Sequence, residues 1–180
     1  MAFPIFSLLH RFAELLGAPF VNPNMLWIAL PLLITLIVVE LYFARYKEEK
    51  LGWNTALTNT LVLVFVSLNL FQHVFKTYSG GFFRVITSTG FFVPLLILVL
   101  GILLFFADFF HWLPRKIAFI ISAHLPVNIT AYTAIVIVYN KIPLDVFTIL
   151  AWLMLIILLG IIFFFVRRKS RGVVVVSDKS

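Results

Sequence analysis

Hydrophobic positions run along this chain in long, nearly unbroken blocks separated by short polar connections. Five blocks stand out, from Met25 to Phe43, Trp53 to Phe75, Phe91 to Phe110, Ile117 to Tyr139 and Phe147 to Val166. A helix of about 20 residues rising roughly 1.5 Å per residue matches the hydrocarbon thickness of a bilayer. The pattern therefore predicts five transmembrane helices, and the fold class read from it is an all-α integral membrane protein. Two blocks, Phe91 to Ala107 and Phe147 to Val166, carry almost no polar side chains, so the third and fifth spans are expected to face lipid or a partner protein. The second span differs. Asn54, Thr55, Thr58, Asn59, Asn69, Gln72 and His73 fall within an arc of roughly 140° on its helical wheel, with only Thr60 and Ser67 outside, which predicts one inward-facing polar side. In the fourth span His124, Asn128, Tyr132 and Tyr139 share an arc of about 80°, so spans two and four are expected to face each other.

Ahead of the first span, Phe3, Phe6, Leu9, Phe12, Ala13 and Leu16 recur at helical spacing opposite Ser7, His10, Arg11 and Glu14. This predicts an amphipathic helix over residues 3–16 lying in the membrane interface, separated from the first span by Pro19 and Pro23. No positive charge precedes the short apolar run, so it does not read as a cleaved signal peptide. The connections are a charged turn from Arg45 to Lys50, a Gly/Ser/Thr-rich loop from Thr77 to Gly90, and short links bearing Pro114 and Pro143. No internal repeat is evident, and the whole chain reads as one membrane domain.

Composition supports this picture, since 63% of the 180 residues are hydrophobic and only 12% are charged. The absence of cysteine excludes disulfides, thiolate metal sites and cysteine nucleophiles. The formal charge of +7 sits at the ends of the apolar blocks, where anionic head groups rather than nucleic acid would meet it. Of the 14 Lys and Arg residues, only Arg11, Lys76, Arg84 and Lys141 fall on the first residue's side of the five spans. The positive-inside rule then predicts a multi-pass protein of the cell membrane with its N-terminus outside and a basic C-terminal tail, residues 167–180, in the cytoplasm.

Acidic groups are few, and two are placed unusually. Glu40 and Asp108 lie near C-terminal helix ends, where the macrodipole disfavours negative charge by roughly 0.3–1 kcal/mol. Something else must hold them, and two readings stand: pairing with Arg45, Lys47, Arg115 or Lys116 at the head groups, or a shared polar pocket. The pocket would gather Glu40, Asn54, Asn59, Asp108, His111, His124 and Asn128 at one depth near the inner side. Pro126 lies within the fourth span, so the carbonyl of Ser122 loses its helical donor and the helix is expected to kink beside His124 and Asn128. Asp108, His111 and His124 form a weak candidate metal set, with no ligand-pair motif behind it. Ser79, next to Gly80-Gly81, is a poor nucleophile candidate, and Asp145 is better read as capping the fifth helix.

No complete catalytic, nucleotide-binding or cofactor motif occurs, and no cofactor is expected. The leading functional reading is a non-enzymatic membrane component, an accessory subunit that meets the bilayer and a membrane protein partner or a second copy of itself. Its rivals are a small transporter, channel or proton-conducting protein using the polar faces of spans two and four, and a membrane enzyme acting on a lipid with an inner-side metal.

Overall fold

The computed structural model describes residues 4–46, 52–77, 85–86 and 88–169, and the description below covers these. The charged turn at 47–51, the glycine-rich segment 78–84 with Ser79, and the tail from Ser170 onward lie outside them. The regular structure of the described residues is all helical, with no strand among them. In chain order they form α1 (Pro4–Val21), a 3-10 turn (Pro23–Met25), α2 (Leu26–Arg45), α3 (Trp53–Thr77), α4 (Thr89–Phe109), α5 (Arg115–Ile121), α6 (His124–Asn140) and α7 (Val146–Lys169). Five segments are long and apolar enough to cross a membrane: Pro23–Arg45, Trp53–Thr77, Gly90–Phe109, Arg115–Asn140 and Val146–Lys169. The fourth comprises α5 and α6, broken at Ser122 and Ala123.

The bundle is organised around α6. Its residues from Val127 to Val138 are almost all buried, and it touches α1, α2, α3, α4 and α7. It carries Asn128, Thr130, Ala131, Thr133 and Ala134, small and polar residues that let helices approach closely, whereas the more uniformly apolar α7 stays at the edge. Against this post stand two groups: α3 with α4, and α2 with α7, the latter carrying α1 on its flank. The tightest pairing is α3 on α4. A Cβ at Gly101 would stand 3.0 Å from the Cβ of Leu63 and 3.2 Å from the backbone nitrogen of Val64, so only glycine allows the two backbones to approach this closely. The expectation for the third span holds for one side only: Phe92, Leu96, Val99, Leu103 and Phe106 face outward, while the Gly101 side is seated on α3. In α7, Thr148, Ala151 and Leu155 are buried, and Ile157, Ile161, Phe164 and Phe165 are exposed.

Two expectations are corrected. The polar arc of α3 is not its buried side: Asn54, Thr58, Asn69 and Gln72 are exposed, and the buried side runs through Ala56, Asn59, Thr60, Leu63, Ser67, Leu70 and Val74. Residue size decided this. Close packing against α4 and α6 selects small and branched residues, and Thr60 and Ser67 tolerate burial because their hydroxyls donate to carbonyls of their own helix, Leu57 at 2.8 Å and Val64 at 2.7 Å.

The second correction concerns α1, which continues through Pro19 to Val21 instead of ending near residue 16. Proline at 19 removes the N–H that would serve the Leu15 carbonyl, and the hydroxyl of Tyr132 on α6 donates to it instead at 2.8 Å. The first helix is thereby anchored onto the bundle, with Leu15 and Ala18 buried. At the end of α6 a helix-terminal carbonyl is served in a similar way, Asn22 Nδ2 donating to the Tyr139 carbonyl at 3.1 Å. Arg11 on α1 also meets Asp145, whose Oδ1 accepts the Thr148 N–H at 2.8 Å and so caps α7. Burial opposes ionisation of Asp145, but the Thr148 N–H and hydroxyl, with Arg11, outweigh it and hold the carboxyl below the ordinary aspartate range.

Candidate functional site at the helix break

The break between α5 and α6 follows from Pro126. Its ring has no N–H for Ser122 and would collide with the Ser122 carbonyl in a continuous helix. The chain instead ends α5 at Ser122 and passes through an extended Ala123 (φ −66°, ψ 155°), which places Pro126 in the first turn of α6, where no donor is required. The orphaned Ser122 carbonyl accepts a hydrogen bond from Asn59 Nδ2 at 2.7 Å. Asn59 is thus the member of the α3 polar arc that reaches the interior and ties α3 to the break. On the other side of the break, Asn128 Nδ2 donates to the His124 carbonyl at 2.7 Å and is itself buried.

The acidic groups lie on two sides of this break. Glu40, 4% exposed, is ion-paired with Arg167 of α7, the first residue of what the sequence reads as the basic tail. The His124 ring packs 5.8 Å from that of Phe43, three residues along α2 from Glu40. The Glu40–Arg167 pair and the Phe43–His124 contact thus bring α2, α7 and the start of α6 together. Burying a carboxylate near a helix C-terminus is offset here by a guanidinium, which brings a full opposite charge.

Asp108 belongs to a second cluster. It is 1% exposed, and neither carboxylate oxygen has a hydrogen-bond partner among the described residues. The Ser122 hydroxyl, fully buried, stands beside it without closing a well-formed hydrogen bond. His111 is the other neighbour. It occupies a left-handed conformation (φ 56°) just past the end of α4, with the Trp112 N–H bonded to the Ala107 carbonyl at 2.9 Å and its own N–H to the Asp108 backbone carbonyl at 3.4 Å. This is the Schellman arrangement usually closed by glycine. Histidine here carries a steric cost of about 1–2 kcal/mol, and its ring is seated 4.1 Å from that of Trp53.

The predicted pocket is thus resolved into parts. Asn59, Asp108, His124 and Asn128 gather around the break with Ser122; Glu40 joins through Arg167; His111 is exposed at the rim; and Asn54 turns outward, its carbonyl accepting the Thr58 hydroxyl. Among the described residues no three His, Asp or Glu side chains are grouped so as to hold a metal ion, so Asp108, His111 and His124 do not make up a ligand set. Sequence reading missed Arg167 as the partner of Glu40 and Ser122 as a buried hydroxyl. The second was within reach, because Ser122 was already marked by its carbonyl, four residues before Pro126.

Away from the break, two lateral recesses flank α6. One, of about 350 Å³, opens between α2 and α3 and is lined by Trp27, Pro31, Thr35, Phe65, Asn69 and Asn128. The other, of about 260 Å³ and almost wholly apolar, lies between α4 and α7 over Thr133 and Trp152. Trp152 Nε1 donates to Thr130 at 3.2 Å. At the α1 end, a cavity of about 600 Å³ is lined by Asn22, His73, Thr77, Tyr139 and Lys141, with the His73 and Tyr139 rings stacked 3.8 Å apart.

No protein-family model, characterised protein or solved structure matches this chain.

Proposed function

We propose that this chain is a multi-pass membrane protein, N-terminus outside and C-terminus in the cytoplasm, and that it works as a non-enzymatic subunit of a membrane assembly. The observation carrying this reading is the outward polar side of α3. Asn54, Thr58, Asn69 and Gln72 are exposed on a surface otherwise clad in Phe, Leu, Ile and Val. Asn69 returns one N–H to the Phe65 carbonyl at 2.9 Å, which leaves its second N–H and its oxygen turned outward. In hydrocarbon such groups find partners on another helix. Asn69 also lines the recess between α2 and α3, which gives a partner side chain a place to enter.

Native mass spectrometry of protein extracted in a mild detergent tests this. The expected species exceeds the 20.6 kDa protomer by a fixed increment, a whole multiple for self-association or another mass for a different subunit. Asn69→Leu combined with Gln72→Leu is expected to release the protomer without unfolding it. A wild-type protein carrying only lipid would overturn the reading.

A second reading, a small proton- or ion-conducting protein, is favoured by one specific observation. A carboxylate of α4 without a hydrogen-bond partner among the described residues is buried beside the break between α5 and α6, and backbone at membrane depth is left irregular where it lines a site.

A further inference from the structure

The Asp108 cluster combines features that the bundle does not need for packing. A carboxylate 1% exposed has a fully buried hydroxyl beside it, and both lack hydrogen-bond partners among the described residues. Asp108 lies in the last turn of α4 and Ser122 at the break between α5 and α6, where Asn59 holds the Ser122 carbonyl in place of a continuous helical ladder. The residue leading outward, His111, is kept in a left-handed conformation that glycine would adopt without strain.

Among the described residues the ionisable groups around Asp108 are few. His111 is its ionisable neighbour just past the end of α4. From α3 there is nothing ionisable between Trp53 and Gln72. On α5, Arg115 and Lys116 are exposed, and Arg115 lies over the Phe119 ring at 5.1 Å. On α6, His124 packs against the Phe43 ring at 5.8 Å. A bare anion in such a place is unstable, and one carboxylate with one hydroxyl offers too few oxygens for Ca²⁺ or Mg²⁺.

We propose that Asp108 and Ser122 form a binding site for a single proton, in which Asp108 is held as a neutral carboxylic acid beside the Ser122 hydroxyl and exchanges its proton with the aqueous side through His111. On uptake an N–H bond of the His111 imidazolium breaks as the O–H bond of the Asp108 carboxyl forms; on release that O–H breaks, the N–H re-forms, and the imidazolium passes its proton to water. This deepens the second reading above and is independent of the subunit reading. A proton held between a buried acid and an exposed imidazole is the element that a conducting or proton-coupled protein requires.

Infrared spectroscopy of the purified full chain at neutral pH tests the site. A protonated-acid carbonyl band is expected, absent in Asp108→Asn and retained in Glu40→Gln, since Glu40 is ion-paired. Replacing Na⁺ with K⁺ should leave the band unchanged. Deuterium exchange should shift it, and His111→Ala should slow that exchange by roughly tenfold or more while thermal unfolding stays intact. Should Asp108→Asn fail to fold, Ser122→Ala must displace the same band by removing the adjacent hydroxyl. Absence of any acid band in the wild type, or a band indifferent to both Asp108→Asn and Ser122→Ala, overturns the site. Exchange unaffected by His111→Ala overturns the route. The band tests the site alone, whereas proton current through proteoliposomes tests the conducting reading, so a band that behaves as expected in a protein without current overturns only the latter.

Discussion

Replacing Tyr132 with phenylalanine removes a single oxygen from the centre of the bundle, and the cost is expected to depend on a proline in another helix. The Tyr132 hydroxyl donates at 2.8 Å to the Leu15 carbonyl, which Pro19 leaves without its helical donor. Leu15 is fully buried and Tyr132 is 5% exposed, so water has no route to take the donor's place. A buried acceptor left unsatisfied costs about 1–3 kcal/mol in general. Cycles on interhelical hydrogen bonds in membrane proteins average about 0.6 kcal/mol and reach about 1.7. Tyr132→Phe should therefore destabilise by about 1–2 kcal/mol, a fall of about 2–8 °C in the unfolding midpoint for a chain of this size.

The informative measurement is the cycle with Pro19→Ala. Because α1 runs unbroken through residue 19, an alanine N–H there points at Leu15 and supplies the missing donor. In that background Tyr132→Phe should cost less than about 0.5 kcal/mol, leaving a coupling of about 1 kcal/mol. Reversible denaturant titration in one detergent, read by circular dichroism, suffices. Equal losses in both backgrounds, or no loss in the native one, would refute the claim that the hydroxyl serves the carbonyl orphaned by proline.

Asn59→Leu should destabilise by about 1–2 kcal/mol through the orphaned Ser122 carbonyl, whereas Asn69→Leu on the same helix should stay within about 0.5 kcal/mol in the monomer, because Asn69 bonds only to its own exposed turn; the pair is compared by thermal unfolding. Asp145 has its carboxyl held below the ordinary range, so its contribution to stability is present above the unfolded value near 3.8 and disappears as pH falls through the lower folded value. Asp145→Asn, which keeps the cap, should flatten that acid dependence by an amount below about 1 kcal/mol, the pair with Arg11 being partly exposed. Lys141 holds a left-handed φ of 53° at the end of α6, so Lys141→Gly should leave stability unchanged or raise it by up to about 1 kcal/mol, and a clear loss would show that the lysine head group matters more than its backbone. With no native cysteine to interfere, Lys141→Cys should react with an impermeant thiol reagent in intact cells and Arg115→Cys should not, and the opposite pattern would invert the topology.

Helix number, approximate helix boundaries and the prolines that matter were legible in the chain, because long apolar blocks and missing N–H groups are properties of local sequence. The same holds for the loss of a donor at Ser122. What the chain could not disclose was who answers each loss. Asn59, Tyr132 and Asn22 are separated by 63, 117 and 117 positions from the carbonyls they serve, and only packing brings them together. The facing of α3 went astray for a related reason. A helical wheel ranks sides by polarity, but where every neighbour is apolar the buried side is chosen by how closely backbones can approach, and Ala56, Thr60, Ser67 and the opposing Gly101 decided it. The two acids were recognised from their placement against the helix dipole, a local property. Their separate fates, Glu40 with Arg167 and Asp108 beside Ser122, were settled by tertiary structure, since an ion pair between α2 and α7 exists only once α6 has gathered both around itself.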